Sequence, residues 1–202
     1  MTEKQYPLNL AAVLVAAGPS TRLGRPKQLV KFQGETLVRR SANLLLEAMG
    51  GPVVVVSGFE SEPIKREVAD LPVDAVFNPE WEKGMGGSIA CGARYVKGIP
   101  AGILVGVCDQ WQLSANDLGK LISAWQAQPR RIHTAYWQEG RAHVSGPPVI
   151  FPGKLRGELK GLEKSRGARQ IIDRHIDIVE FVELESAARD LDRPEDLELL
   201  ES

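Results

Sequence analysis

The stretch VAAGPSTRLGRPK at residues 15–27 places two glycines and the cations Arg22, Arg25 and Lys27 in one loop after the apolar run LNLAAVLV. Gly18 and Gly24 allow a sharp turn and close approach to a ligand. Backbone N–H groups in such a turn can cradle phosphate oxygens, and the three cations suit a polyphosphate. Two familiar phosphate motifs do not match. The P-loop needs GxxxxGK[ST], whereas Gly24 is followed by Arg25 and Pro26 before Lys27, and GxGxxG is absent. The alternative is a solvated basic loop between a strand and a helix, with Lys27 exposed.

Carboxylates stand after two later strand-like runs. Asp109 follows ILVGVC, and Asp190 and Asp192 follow FVEL and flank Leu191. Magnesium takes oxygen ligands, often one or two carboxylates plus substrate phosphates. In extended chain, Asp190 and Asp192 share one side. Asp109 and Asp192 lie 83 positions apart, yet both are expected at the ligand edge of the sheet. The alternatives are a turn role for Asp109 and an N-cap role for Asp192, with Pro194 early in a helix of PEDLELLE. Asp190 is then the other ligand. Asn78, Gly84, Met85 and Ser88 precede or open a further helix, whose N-terminal amides favour an anion or a polar base edge. Met85 and Trp81 read equally well as core packing.

The elements that must position these residues alternate along the chain. LNLAAVLVA, PVVVVSG, VDAVFN and AGILVGVCD read as buried strands. ETLVRRSANLLLEAM, EPIKREVAD, GGSIACGARYV and SANDLGKLISAWQA read as helices, the last with Ser114 as cap. RIHTAYW, VSGPPVIF and DIVEFVEL read as further strands, with Pro147 and Pro148 near an edge or bulge. GARQIIDRH and PEDLELLE are late helices. Strand–helix alternation predicts an α/β fold, a mainly parallel sheet with helices on both faces. Ligands of such sheets bind beyond the carboxyl ends of the strands, where the first loop and Asp109 fall.

Composition narrows the class. The 202 residues suit a single domain over 1–202. Lysine plus arginine number 25 and aspartate plus glutamate 26, a net charge of -1 that speaks against a general nucleic-acid binder. The apolar runs are too short to cross a bilayer, and MTEKQYPLNL lacks the layout of a signal peptide. Cys91 and Cys108 lie far apart, which fits a reduced, cytoplasmic setting. His133, His143 and His175 have no metal-ligand spacing.

VAAGPSTRLGRPK resembles the LAAGxSxRxGxxK signature of the nucleotidyltransferases that include the molybdenum-cofactor cytidylyl- and guanylyltransferases. NPEWEKGMGGSI, VCDQ and DLDRPEDL resemble further segments of that family, in the same order, from about residue 10 to residue 198. The resemblance implies a Rossmann-like, GT-A-like fold of the nucleotide-diphospho-sugar transferase type. It implies a magnesium-dependent enzyme that moves a nucleoside monophosphate from a nucleoside triphosphate to a small phosphorylated acceptor and releases pyrophosphate. Ala16, Ala17 and Gly18 would face the base, and Arg22 and Lys27 would hold the triphosphate. Asn78 and Ser88 would line the nucleotide pocket, with Asp109 and Asp192 or Asp190 on Mg2+. VAAG resembles the cytidylyl form, since the guanylyl form carries glycine at Ala17, so CTP is the expected nucleotide and molybdopterin the expected acceptor. Gly146, Pro147 and Arg166 would shape the acceptor pocket. Two departures bear on that pocket: Trp111 replaces a proline, and Lys164 and Ser165 replace a Gly-Asp pair. Nucleic acid and membrane are not expected partners, and a monomer is expected. Other readings are transfer to a different phosphorylated acceptor, GTP as donor, or a nucleotide-binding module without catalysis. A nicotinamide oxidoreductase on a similar sheet is disfavoured by the missing GxGxxG.

Overall fold

A computed structural model describes residues 9–163 and 167–200 of the chain. Its first half runs β1 Leu10–Ala16, β2 Lys31–Phe32, β3 Glu35–Thr36, α1 Leu37–Ala48, β4 Val53–Ser57, α2 Ser61–Glu67, β5 Asp74–Phe77 and α3 Met85–Tyr95. The second half runs β6 Gly102–Val107, α4 Ala115–Ala127, β7 Ile132–Glu139, β8 Ala142–Pro152, α5 Arg156–Lys160, α6 Arg169–Arg174 and β9 Val179–Glu183. Short 3-10 turns fill several of the links.

Seven strands form one sheet in the order β5-β4-β1-β6-β8-β7-β9, and β2 and β3 pair as a small separate hairpin. All neighbouring pairs of the large sheet are parallel except those made by β8, which runs against β6 and β7. The sheet is therefore mainly parallel, as the alternation predicts. Every residue of β1 is buried, because helices cover both faces and leave no wet side. Ala12, Leu14 and Ala16 face Leu45 of α1 and Leu121 and Trp125 of α4. Ala11, Val13 and Val15 face Ile89 of α3, Leu159 of α5 and Ile171 of α6. Ser114 caps α4 in a capping box with Asp117.

Two glycines set how close the helices lie. A Cβ on Gly92 of α3 would stand 2.4 Å from Val13 Cγ1, so α3 rests directly on β1. A Cβ on Gly102 would strike the Trp125 ring at 2.5 Å. Small residues on the inner side of α3 thus bring its first turn to the end of β1.

Of the edge or bulge expected at Pro147 and Pro148, the structure has the bulge, since β8 is interior. They lie in a bulge, where pairing with β7 steps from Thr134↔Val149 to Ala135↔Gly146 and needs no N–H from either proline. PEDLELLE is a 3-10 helix, Pro194–Leu200, rather than an α-helix. Among the described residues no helix is long and apolar enough to cross a membrane.

Candidate active site

Because β1, β4, β5, β6, β7 and β9 run the same way, the chain leaves them all at one edge. The first loop leaves β1 there, Asn78 follows β5, Asp109 follows β6, and Asp190 and Asp192 follow β9. Leu23 pins the first loop by packing with Leu37, Trp111 and Leu191. Ser20 organises its turn: the Ser20 carbonyl accepts from the N–H groups of Leu23 and Gly24, both at 3.1 Å, and its hydroxyl from the Lys27 N–H at 3.1 Å. Gly24 has φ +76°, which favours glycine. Gly18 needs no such freedom, and a Cβ there would meet open space.

Lys27 is not an exposed loop cation. Its side chain is 19% exposed and its ammonium donates to Asp109 and, at 2.9 Å, to Asp192 Oδ1. Arg22, with a largely exposed side chain, reaches Asp192 Oδ2 at 2.7 Å. Burial opposes the Lys27 charge, but the two carboxylates outweigh it and hold the ammonium well above its ordinary range. Burial likewise works to raise Asp192, yet Lys27 and Arg22 leave it below the usual carboxylate range. Arg25 is exposed on the same loop.

Asp109, Asp190 and Asp192 each bring a carboxylate oxygen within 4.8 Å of the others. The backbone makes this possible: the Asp109 carbonyl accepts from Trp111 N–H at 3.0 Å and from Leu191 N–H at 3.1 Å. Asp190 is pushed up by loss of water around its carboxyl and by the like charges of Asp109 and Asp192. Asp192 is not a helix cap. Asp196, inside the 3-10 helix Pro194–Leu200, reaches back to accept from the N–H groups of Asp192 at 2.9 Å and Arg193 at 2.7 Å, while the Asp192 carboxylate faces Lys27 and Arg22. Asp109 Oδ1 is buried without a hydrogen-bond partner. An orphaned carboxylate oxygen inside a cluster of three acids fits a hard divalent cation, for which Asp109, Asp190 and Asp192 are the ligands at hand.

The acids border a cavity of about 210 Å³ lined by residues 15–22, Lys27, Asp109 and Asp192. Ala17, Gly18 and Met85 also line an adjoining cavity of about 560 Å³, closed by Trp81 and Ser88. Ala16 and Ala17 are buried, and the Ala17 carbonyl accepts from Phe59 N–H at 3.1 Å. Met85 is 46% exposed, so it is a wall rather than a core residue. Ser88 lines the larger cavity, but Asn78 does not: its amide donates to Ser88 Oγ at 3.1 Å and its Oδ1 accepts from Glu80 N–H at 3.1 Å. Asn78 therefore holds Ser88 in place.

The acceptor residues are not brought together at these cavities. Gly146 lies under Trp137, where a Cβ would come within 3.2 Å of the ring. The Pro147 carbonyl accepts from Gln110 Nε2 at 2.7 Å. Arg166, with Lys164 and Ser165, lies outside the described residues.

Two glutamines were not foreseen. Gln28 is buried and donates through Nε2 to the carbonyls of Ala16 at 3.1 Å and Gly18 at 2.7 Å, bracing the loop from behind. Gln110 ties the Asp109 strand end to Pro147 and, at 2.8 Å, to the Ala187 carbonyl. The one signal for Gln28 is an amide beside Lys27 at the end of a basic loop.

Known proteins place this arrangement. Residues 12–179 match the model of the MobA-like NTP transferase domain. The nicotine blue oxidoreductase of Paenarthrobacter nicotinovorans is 30% identical over 197 residues, covering 93% of this chain and 94% of that one. A probable molybdenum cofactor guanylyltransferase of Opitutus terrae is 34% identical over 90 residues, covering 43% of this chain and 45% of that one. The crystal structure of Rv0371c from Mycobacterium tuberculosis shares the fold, with a TM-score of 0.81 at 24% identity over 98% of this chain and 100% of that one. The same protein is known as a manganese complex, with a TM-score of 0.76 at 21% identity over 95% and 97% of the two chains. With the model matched over most of its length and a relative alike nearly from end to end, the chain belongs to the MobA-like NTP transferase family of the nucleotidyltransferase superfamily.

Proposed function

We propose that the chain is a single-domain, cytoplasmic, magnesium-dependent nucleotidyltransferase that moves CMP from CTP to molybdopterin. The observation that carries this is Lys27 and Arg22 lying against the Asp109–Asp192 pair at the mouth of the cavity built by residues 15–22. A phosphate oxygen of the acceptor attacks the α-phosphorus of the nucleotide. A new P–O bond forms, the bond from the α-phosphorus to the oxygen bridging to the β-phosphate breaks, and pyrophosphate leaves. Such transfer needs charge neutralisation and in-line positioning rather than a protein nucleophile. Asp109, Asp190 and Asp192 would hold a divalent cation such as magnesium, which would supply further positive charge at the phosphates. Lys27 and Arg22 turn from the carboxylates to the triphosphate, Gln28 keeps the loop backbone in position, and Ala17 and Ser88 border the base.

Pyrophosphate release, measured with each of the four common nucleoside triphosphates and magnesium, with and without molybdopterin, tests the reading. Release with CTP that depends on molybdopterin is expected, and no release with any nucleotide removes the assignment. One observation favours a second reading: the relative alike over nearly its whole length is named an oxidoreductase. Oxidation of NADH or NADPH by the protein with an aromatic dye would support that reading, which the three clustered acids do not require.

A further inference from the structure

The turn after β4 touches two of the segments that line the cavity of about 560 Å³. Gly58 is buried in that turn, and its φ is not left-handed, so glycine is needed there for its size alone. A Cβ on Gly58 would stand 2.4 Å from Trp81 Cβ, 2.6 Å from Trp81 Cγ and 2.7 Å from the Ala17 carbonyl oxygen. The backbone fixes both Trp81 Cβ and the Ala17 carbonyl, so no change of rotamer relieves these contacts. The 3-10 turn Trp81–Lys83 and the loop after β1 therefore close on one point, and only glycine fits between them.

Phe59 strengthens the junction. Its N–H donates to the Ala17 carbonyl at 3.1 Å, and its ring meets the Trp81 ring edge to face with centroids 5.7 Å apart. Glu60 follows with φ +54°, a left-handed backbone that residues with a side chain adopt rarely, so the neighbours of the turn hold it to this shape. On its far side the Trp81 carbonyl accepts from Gly84 N–H at 3.0 Å, which ties Trp81 to the start of α3. Trp81 is half-buried, and among the described residues it is the only aromatic side chain lining the cavity, with Ala17, Met85 and Ser88 as other walls. An indole at the side of such a cavity suits a flat ring stacked against it.

We propose that Trp81 is the stacking wall for the base of the nucleotide and that Gly58 and Phe59 are positioning residues, which set the width of the base pocket through Trp81. Placing the base here rests on the transfer reading. The new content is the coupling: Ala17 and Trp81 are held at a fixed spacing by a turn that lines neither cavity, so position 58 controls base binding without touching the base.

CTP and inorganic tripolyphosphate, each with magnesium, separate the base from the phosphates in calorimetry. The wild-type chain should bind both, CTP the more tightly. Trp81→Ala should weaken CTP about tenfold or more and leave tripolyphosphate unchanged. Trp81→Phe keeps an aromatic face, so it should restore most of the CTP affinity while losing most of the quenching of tryptophan emission that CTP causes in the wild-type chain. Gly58→Ala should weaken CTP about tenfold, because Trp81 is displaced, again with tripolyphosphate unchanged. Phe59→Ala inserts no atom into the junction and should weaken CTP several-fold, so it tests the positioning role even if Gly58→Ala does not fold. CTP affinity unchanged in Trp81→Ala, or tripolyphosphate affinity that falls as far as CTP affinity, would overturn the stacking wall. CTP affinity unchanged in Phe59→Ala would overturn the positioning role. A wild-type chain that binds neither ligand would refute the transfer reading and this inference with it, whereas CTP binding indifferent to Trp81 would refute the inference alone.

Discussion

Lys27→Ala should have opposite effects on two ligands of the same site. The Lys27 ammonium donates to Asp109 and Asp192, and a cation bound by those carboxylates competes with it. A hydrogen bond to a charged group contributes about 1.5–3 kcal/mol. Lys27, Asp109 and Asp192 are only 12–26% exposed at the side chain, so solvent screens these contacts only in part. Removing the ammonium should therefore tighten binding of manganese alone by roughly tenfold or more, because one competing contact of that strength corresponds to about a factor of ten to a hundred. The same substitution removes a phosphate contact and should weaken CTP binding by roughly ten- to a hundredfold. It also leaves Asp109 without its ion pair and Asp192 with Arg22 alone, so the melting temperature without metal should fall by several degrees, at about 2–4 °C per kcal/mol for a domain of this size. Manganese and CTP titrations by calorimetry, with thermal melts in chelator and in excess manganese, read all three effects. Manganese affinity that is unchanged or lower in Lys27→Ala would refute the competition, and unchanged CTP affinity would remove Lys27 from the nucleotide site.

Four further outcomes are expected. Asp109→Asn keeps the shape of the strand end but removes a metal-binding charge, so kcat should fall far more than CTP affinity, and normal turnover in magnesium would make Asp109 structural. The wild-type chain should prefer CTP to GTP, and Ala17→Gly should narrow the gap by removing a methyl whose clash with a larger base costs on the order of 1–3 kcal/mol, as read by competition between the two nucleotides. Gln28→Leu leaves the Ala16 and Gly18 carbonyls without their donor, at about 1–3 kcal/mol for each that stays dry, and should lower the melting temperature and raise the KM for CTP. Ser114→Ala should cost about 0.5–2 kcal/mol at neutral pH. Burial works to raise Asp117, but its bonds from Ser114 and Ser186 leave it below the ordinary 3.8, so its share of this stability is present above that value, is lost as pH falls through the folded pKa, and the melting difference should shrink in acid.

The strand ends were legible because a parallel sheet covered on both faces needs uninterrupted apolar runs. VVVV in β4 and ILVGV in β6 have that form, and the residues after such runs fall at the edge where ligands bind. Asp109 and the first loop were found in this way. The 3-10 form of Pro194–Leu200 and the place of β8 inside the sheet were not visible. Proline and leucine patterns do not distinguish a 3-10 turn from a short α-helix, and strand order depends on contacts between distant segments.

Local chemistry along the chain, with the family resemblance beside it, was enough to single out Lys27, Asp109, Asp190 and Asp192 as candidates to meet phosphate and metal, since all four follow apolar strand runs at the ligand edge of the sheet. Only the tertiary structure decided what each does without a ligand. Lys27 is drawn out of solvent by two carboxylates far away in sequence, the Asp192 carboxylate pairs with Lys27 and Arg22 rather than capping a helix, and Asn78 stands behind Ser88 rather than in the cavity. Gln28, Gln110 and the Gly58 seat of Trp81 belong to the same class. Hydrogen bonds and packing act over a few ångströms in space, and a linear sequence does not state which residues the fold brings within that range.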